Sequence, residues 1–202
     1  MRILIVSDAW FPQINGVVRT LSTVAEELRR LGHMVDVIGP DDRFRTLPCP
    51  TYPDIRLAID APFKLARLID AYAPDAIHIS TEGPLGFAAR GYCRRKGYAF
   101  TTAYHTKFPE YIEARTRIPP AWTYRIMRWF HAAADRVMVS TGSIETELIK
   151  NGFTNIVRWS RGVDTDLFRP RDKALPLKRD WLNAFCTMWA MSRARSPYSN
   201  LP

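Results

Sequence analysis

Three short segments of the sequence carry polar residues of the kinds that bind or transfer charged and hydroxylated groups. His105 follows an apolar run, where an imidazole could hydrogen-bond a hydroxyl or a phosphate, or relay a proton. Asn15, Gly16 and Val17 open a helical pattern, and a glycine there lets the backbone approach a phosphate at the positive helix end. Glu82 could accept hydrogen bonds from a hydroxylated ligand.

Each segment also has a structural interpretation that the residues alone leave open. The Gly16 segment could be a simple turn from strand to helix, because it is not a G-x-G-x-x-G motif. His105 could merely cap a strand, although its position at a strand end favours a functional role. For Glu82 we favour the structural interpretation, in which its charge stabilises the start of the following helix.

Alternating strand and helix patterns must position these segments. Short apolar runs predict strands at 2–7, 34–38, 76–80, 100–104, 136–140 and 156–160. Apolar residues at intervals of three and four predict helices at 17–31, 62–73, 85–96, 121–134 and 143–150. The proline-rich residues 41–60 are expected to be irregular apart from a short strand at 55–58, and 106–118 are expected to form a loop.

Strands joined by helices imply right-handed crossovers and a parallel sheet. We therefore predict an α/β fold with a doubly wound, Rossmann-like sheet. Such sheets bind ligands beyond the carboxyl ends of their strands, so the loops after Ser7, Ser80, Tyr104 and Ser140 should hold the site.

The aromatic helix at 121–134 allows two interpretations. Trp122, together with Arg125 and Arg128, is typical of a helix that lies on a membrane surface. We favour an ordinary amphipathic helix. Its core face would consist of Ile126, Trp129, Phe130 and Ala133.

The composition is that of a globular protein with a basic excess, since 47% of residues are hydrophobic, 24% are charged and the net charge is +9. That charge suits an anionic partner such as a nucleotide diphosphate or an anionic membrane surface. We expect no nucleic-acid partner, because the basic and aromatic residues match no nucleic-acid-binding module.

The cysteines and histidines predict neither disulfides nor a metal site. Cys49, Cys93 and Cys186 are scattered and form no C-x-x-C pair, which favours a reducing compartment. The four histidines show no ligand spacing. The first residues do not resemble a signal peptide, and no apolar run reaches the ~20 residues of a membrane span, so we expect a cytoplasmic protein.

Five motifs occur in a fixed order over residues 1–170. They are Ser7-Asp8 with Phe11-Pro12 and Asn15-Gly16-Val17; Thr81 to Gly86; Tyr104-His105-Thr106 with Phe108-Pro109; Val139-Ser140-Thr141; and Gly162-Val163-Asp164 with Phe168 and Pro170. Together they resemble the N-terminal domain of the family 4 glycosyltransferases, which have the GT-B fold. The resemblance is strongest to the branch of GDP-mannose-dependent α-mannosyltransferases and related glycolipid glycosyltransferases.

The resemblance implies transfer of a hexose, with mannose as first candidate, from a nucleotide sugar to a lipid or glycan acceptor. Transfer would retain the anomeric configuration by front-face attack and would need no metal or other cofactor. Asn15, Gly16 and Val17 would lie near the donor diphosphate, and His105 would be catalytic. The acceptor-side candidates are Glu82, Lys107, Glu110 and Tyr111. Relatives of this kind also imply peripheral contact with the inner face of an anionic membrane.

The resemblance also implies a domain organisation. Residues 1–170 would be the acceptor-side domain and its linker, and the donor-binding C-terminal domain is expected to be absent. We interpret residues 171–202 as an aberrant tail that a frameshift at the start of that domain would explain; a genuine short tail is the alternative. The chain would then be an enzyme fragment with little activity alone. The alternative function is a non-catalytic binding or regulatory domain completed by a separate partner chain.

Overall fold

The computed structural model describes residues 1–41, 43–49, 52–105 and 119–160, together with Gly162. Residues Met1–Arg161 form one compact unit. Its strands are β1 (Arg2–Val6), β2 (Met34–Ile38), β3 (Thr46–Cys49), β4 (Tyr52–Ala58), β5 (Ala76–Ile79), β6 (Thr101–Tyr104), β7 (Arg136–Val139) and β8 (Ile156–Arg158). Its helices are α1 (Gly16–Arg30), α2 (Ala61–Tyr72), α3 (Pro84–Lys96), α4 (Pro120–His131) and α5 (Gly142–Lys150).

Six strands form one parallel sheet in the order β2-β1-β5-β6-β7-β8. From β1 the sheet continues outward to β2, and from β5 it continues in the opposite direction to β6, β7 and β8. The strand order therefore reverses between the neighbours β1 and β5. Side chains alternate across β1: Leu4 and Val6 belong to one core with α2, α3 and α4, whereas Ile5 packs with Leu21 and Ala25 of α1. The predicted α/β, Rossmann-like parallel sheet with both faces covered is confirmed.

Residues 46–49 and 52–58 differ from the prediction. In place of an irregular segment with one short strand, β3 and β4 form an antiparallel pair with a register shift between Pro48 and Cys49. The prolines led to the prediction of an irregular segment, because proline is usually excluded from the interior of a sheet. Both strands of a two-stranded sheet are edge strands, which tolerate proline, so the pair forms in spite of them.

The predicted core face of α4 is wrong for two of its residues. Phe130 is fully buried, but Ile126 and Trp129 are each 53% exposed. The buried face is instead Thr123, Tyr124, Met127, Phe130 and His131. These residues also recur at intervals of three and four, so the periodicity allowed either face and only the neighbouring elements decided between them.

The domain boundary predicted at residue 170 lies outside the described residues, and so does the tail. The same holds for the loop predicted at 106–118.

Candidate functional site

The ends of four strands lie at one edge of the sheet. Val6 pairs with Ile79 of β5, and Tyr104 pairs with Val139 of β7, so the segments after these residues leave the sheet together. This edge includes the point where the strand order reverses, between β1 and β5. It is the position at which open α/β sheets bind ligands, and it is the edge that the sequence predicted.

Asp8 fastens the end of β1 to the start of α3. Its carboxyl accepts hydrogen bonds from the backbone N–H of Leu85 at 2.8 Å and of Gly86 at 3.2 Å, and from the Thr81 hydroxyl at 2.9 Å. Burial raises the pKa of the Asp8 carboxyl, and the N–H groups of Leu85 and Gly86 lower it in part. Asp8 therefore caps the start of α3. For Glu82 the sequence predicted an electrostatic effect on the same helix start, which stays a prediction.

Two glycines permit this close approach. A methyl group at Gly83 would lie 2.3 Å from Cγ of Asp8, and one at Gly86 would lie 1.9 Å from the carbonyl oxygen of Thr81. Real Cβ atoms do not come so close to other heavy atoms. The glycines of the segment after β5 are thus explained by packing against Asp8 and Thr81, without any contact to a ligand.

The side chain of Glu82 contacts a buried histidine, His131, for which the sequence predicted no role. Its Oε1 lies 3.0 Å from Nε2 of His131, and Nδ1 of His131 lies 2.8 Å from the Thr102 hydroxyl. His131 and Thr102 are fully buried, whereas the Glu82 side chain is 13% exposed. This chain of contacts joins α4 and β6 to the segment after β5, and it leaves Glu82 with an accessible portion at the edge of the site.

Asn15 is the N-cap of α1. Its Oδ1 accepts hydrogen bonds from the N–H groups of Val17 and Val18, both at 3.0 Å. Gly16 is exposed, and a methyl group on it would meet no atom within 4 Å. The predicted phosphate-binding helix end is thus accessible at Gly16, but a phosphate could use the Val17 N–H only by displacing the Asn15 side chain.

Gln13 links the α1 cap to the Asp8 segment. Its Nε2 donates to the carbonyl oxygen of Asp8 at 3.2 Å, and its Oε1 accepts from Nδ2 of Asn15 at 3.2 Å. Gln13 is buried, although the neighbouring Ile14 is 99% exposed. The buried Gln13 side chain therefore anchors the loop after β1, whereas the apolar side chain of Ile14 is exposed to solvent.

His105 directly follows β6 and is half-buried. It lies close enough to His78 for its charge to act on that residue: burial, and then the charge of His105, lower the pKa of His78 to about 4. His78 also contacts the Thr101 hydroxyl at 2.9 Å. The acceptor-side candidates Lys107, Glu110 and Tyr111 lie outside the described residues.

The described residues contain no cluster of three or more histidine, cysteine or acidic side chains arranged to hold a metal ion. Within the same part of the chain, no helix has both the length and the apolar character needed to cross a membrane.

The structure thus brings the predicted residues Gly16, Glu82 and His105 to the same edge of the sheet. It adds Asp8, which the sequence offered only as part of a family motif and without a role, and His131, for which the sequence predicted no role. Asp8 could have been suspected from its place directly after a buried strand. His131 carried no such signal, because its partner Glu82 is 49 residues away in sequence.

Comparisons with known proteins bear on the family and the fold of this chain. Residues 14–167 match the sequence profile of a family described as Glycosyltransferase Family 4. The chain is 30% identical to a GDP-mannose-dependent alpha-mannosyltransferase of Mycobacterium tuberculosis, over 90% of this chain and 52% of that protein. It is 29% identical to the sulfoquinovosyl transferase SQD2 of Arabidopsis thaliana, over 87% of this chain and 38% of that protein. An alpha-monoglucosyldiacylglycerol synthase of Streptococcus pneumoniae is 27% identical over 68% of this chain and 35% of its own length.

Among solved structures, sucrose-phosphate synthase from Thermosynechococcus elongatus superposes with a TM-score of 0.63. The superposition covers 90% of this chain and 52% of that one, at 16% identity, and so concerns the fold alone. It agrees with the predicted N-terminal half of a GT-B fold. The chain spans about half the length of the mannosyltransferases that it matches.

Proposed function

Because this chain belongs to glycosyltransferase family 4, we propose that it is the acceptor-side half of an enzyme that transfers a hexose from a nucleotide sugar to a lipid or glycan. Mannose from GDP-mannose is our first candidate, since three of the mannosyltransferases named GDP-mannose-dependent match the chain at 25%, 28% and 30% identity. Retention of the anomeric configuration by front-face attack is part of the proposal.

The observation that carries the proposal is the accessible start of α1 at the point where the strand order reverses. The N-terminus of a helix favours negative charge, and an exposed glycine allows a diphosphate to approach the backbone. Gly16 is an exposed glycine at such a helix start. A methyl group on it would meet no atom within 4 Å, which leaves room for a ligand. Asn15 and Val17 complete the diphosphate-binding segment, with Asn15 exchanging its hydrogen bonds for those of the ligand.

His105 is assigned to the reacting sugar and the leaving phosphate. An imidazole at a strand end can hydrogen-bond a hydroxyl or a phosphate oxygen, and His105 stands at the same edge as Gly16. Transfer with the leaving phosphate as proton acceptor needs no metal ion, and we include a metal-independent reaction in the proposal.

Glu82 is assigned to the acceptor side, together with Lys107, Glu110 and Tyr111. Its Oε1 contacts His131, which fixes the carboxyl group, and the exposed portion of the side chain is available to an acceptor hydroxyl. A carboxyl held in one orientation binds a hydroxyl with less loss of side-chain entropy than a freely rotating one.

The experiment measures sugar transfer by two proteins: this chain alone, and this chain fused to the second half of the Mycobacterium tuberculosis relative. We expect the chain alone to transfer no detectable sugar, because one wall of the cleft cannot preorganise donor and acceptor. The fusion should transfer mannose from GDP-mannose to a lipid acceptor, with an α-anomeric product by NMR and without loss of rate in EDTA.

The matched variants are Gly16→Ala and His105→Ala in the fusion. Gly16→Ala should raise the KM for GDP-mannose, whereas His105→Ala should lower kcat, because the two residues act on binding and on the reacting centre respectively. A folded fusion that is inactive with both GDP-mannose and UDP-glucose would contradict the enzyme proposal and favour a non-catalytic domain that a separate chain completes. Robust transfer by the chain alone would contradict the half-enzyme assignment.

A further inference from the structure

A chain of three polar side chains runs through the interior between β6, α4 and the segment after β5. The Thr102 hydroxyl lies 2.8 Å from Nδ1 of His131, and Nε2 of His131 lies 3.0 Å from Oε1 of Glu82. Thr102 and His131 are fully buried. A buried polar group costs stability unless it is hydrogen-bonded, and both ring nitrogens of this histidine have partners. The chain ends at Glu82, which is partly exposed at the candidate site.

The two contacts of His131 define the orientation of its imidazole ring. An ionised carboxylate accepts hydrogen bonds and donates none, so Nε2 carries the hydrogen in the contact with Glu82. In the neutral ring, Nδ1 then accepts from the Thr102 hydroxyl. A flipped ring would turn carbon atoms toward both partners. The rings of Tyr104 and Phe153, with centroids 6.0 and 5.9 Å from that of the imidazole, further restrict its movement.

Side chains from other parts of the fold hold the last turn of α4, in which His131 is the final residue. Arg90 of α3 donates to the carbonyl oxygens of Trp129 at 2.7 Å and of Phe130 at 2.9 Å. Nδ2 of Asn155 donates to the carbonyl oxygen of His131 at 3.1 Å. The last carbonyl groups of a helix lack partners within the helix. These bonds therefore satisfy them and fix the backbone that carries the imidazole.

Glu82 keeps one carboxyl oxygen, Oε2, available to a ligand. In the part of the chain that the structure describes, the carboxyl group has one hydrogen-bond partner, His131, and that bond uses Oε1. The side chain is 13% exposed, and neither of its oxygens is a buried atom without a partner. A carboxylate oxygen selects ligand groups that donate a hydrogen bond. The net charge of +9 disfavours a cationic ligand, which leaves a hydroxylated one.

We propose that His131 is a positioning residue for the acceptor, because it orients the Glu82 carboxyl group so that Oε2 receives an acceptor hydroxyl. This role rests on the proposed function, in which Glu82 lies on the acceptor side. A carboxyl group that is already bound through one oxygen loses little further rotational freedom when the other oxygen binds a ligand. An acceptor without a hydroxyl at this point would leave Oε2 desolvated and unpaired, so the pair also selects among acceptors.

The test measures binding of octyl α-mannoside to the purified chain, below the micelle concentration of the glycoside. Its permethylated form is the control ligand, because it keeps the sugar ring and the octyl group but has no hydroxyl to donate. NMR titration of the isotope-labelled chain yields both dissociation constants. We expect the wild type to bind the free glycoside about tenfold more tightly than the permethylated one, as a hydrogen bond to a charged group implies.

Two substitutions separate the two contacts of His131. The amide of His131→Gln reaches about as far as Nε2 and still donates to Glu82, whereas the amide of His131→Asn reaches about as far as Nδ1 and contacts Thr102 alone. We expect His131→Asn to weaken binding of the free glycoside by about fivefold or more, and His131→Gln by less than about twofold. Glu82→Ala should weaken it at least as much as His131→Asn, and the double variant no further than Glu82→Ala.

The matched control is His78→Asn. His78 is also a histidine in contact with a threonine hydroxyl of β6, that of Thr101 at 2.9 Å, but it does not bind the Glu82 carboxyl. Both asparagine variants should lower the midpoint of urea unfolding, and only His131→Asn should weaken glycoside binding. A purely structural role of His131 would instead make the loss of affinity follow the loss of stability in both variants.

A wild-type chain with no preference for the free over the permethylated glycoside, absence of binding included, would overturn the inference. So would an equal loss of affinity in His131→Gln and His131→Asn. Binding is measured without a sugar donor, so its failure leaves the transferase proposal standing. Conversely, an inactive fusion leaves the binding result unchanged.

Discussion

Substitution of Gly83 by alanine should be one of the most destabilising single changes in the candidate site. The new methyl group would lie 2.3 Å from Cγ of Asp8 and within 2.7 Å of both its carboxyl oxygens. Asp8 must then move, which breaks its hydrogen bonds to the N–H groups of Leu85 and Gly86 and leaves the start of α3 without its cap. Each such bond contributes about 1 to 3 kcal/mol.

We therefore expect Gly83→Ala to lower the free energy of unfolding by about 3 to 5 kcal/mol, a large share of the ~5 to 15 kcal/mol of a typical domain. With a urea m-value of about 2 kcal/mol per molar, the midpoint falls by roughly 1.5 to 2.5 M. Gly16→Ala is the matched control. Its methyl group meets nothing within 4 Å, and alanine favours the helix, so its stability should change by less than about 1 kcal/mol.

The assay is urea unfolding of the wild-type chain and both variants, followed by circular dichroism. A double-mutant cycle with Asp8→Ala identifies the cause, because Gly83→Ala should cost less than about 1 kcal/mol once the carboxyl is gone. Equal midpoints for Gly83→Ala and Gly16→Ala would refute the reasoning. A cost of Gly83→Ala that persists unchanged without Asp8 would place its origin elsewhere.

Three further predictions concern buried titratable groups. The folded-state pKa of His78 is lowered from 6.5 to about 4, so its contribution to stability is present above pH 6.5 and is lost as the pH falls toward 4. The wild type should consequently lose about 1 to 3 kcal/mol more than His78→Asn over that range in urea titrations. His131→Ala should cost about 2 to 4 kcal/mol, because it leaves the Glu82 carboxyl without its buried partner, and a cycle with Glu82→Gln should show coupling above about 1 kcal/mol. Burial raises the pKa of the Cys93 thiol to about 11, so a thiol reagent at neutral pH should label the half-exposed Cys49 before Cys93, as read by peptide mass mapping.

Each of these predictions has a result that contradicts it. Parallel pH profiles of the wild type and His78→Asn would show that this histidine is not the titrating group. Additive costs at His131 and Glu82 would mean that their contact contributes nothing to folding. Equal labelling rates at Cys49 and Cys93 in the folded chain would mean that Cys93 is accessible.

Local patterns were enough to predict the parallel sheet. The strands β1, β2, β5, β6, β7 and β8 all lie within about two residues of their predicted bounds. Buried parallel strands read as short apolar runs, and the helices between them follow a period of 3.6, so both signals are local. The pair of β3 and β4 was missed because its prolines and its polar residues hide the strand pattern.

The sequence also predicted that Gly16, Glu82 and His105 lie at one edge of the sheet, because the carboxyl ends of parallel strands must lie together. The structure brings these residues to that edge, and their binding roles stay predictions. The sequence did not predict the burial of α4, because residues at intervals of three and four occur on two of its faces. Packing against α3 decided that Phe130 points inward and Trp129 outward.

The sequence by itself thus determined the succession of strands and helices along the chain, the parallel sheet and the family motifs. Each of these is recognised from residues close together in the chain. The partners of Asp8 and Glu82 were decided only by the tertiary structure. Asp8 contacts Leu85 across 77 residues, and Glu82 contacts His131 across 49. Such contacts depend on which strands become neighbours, and a strand's own residues do not specify its neighbour in the sheet.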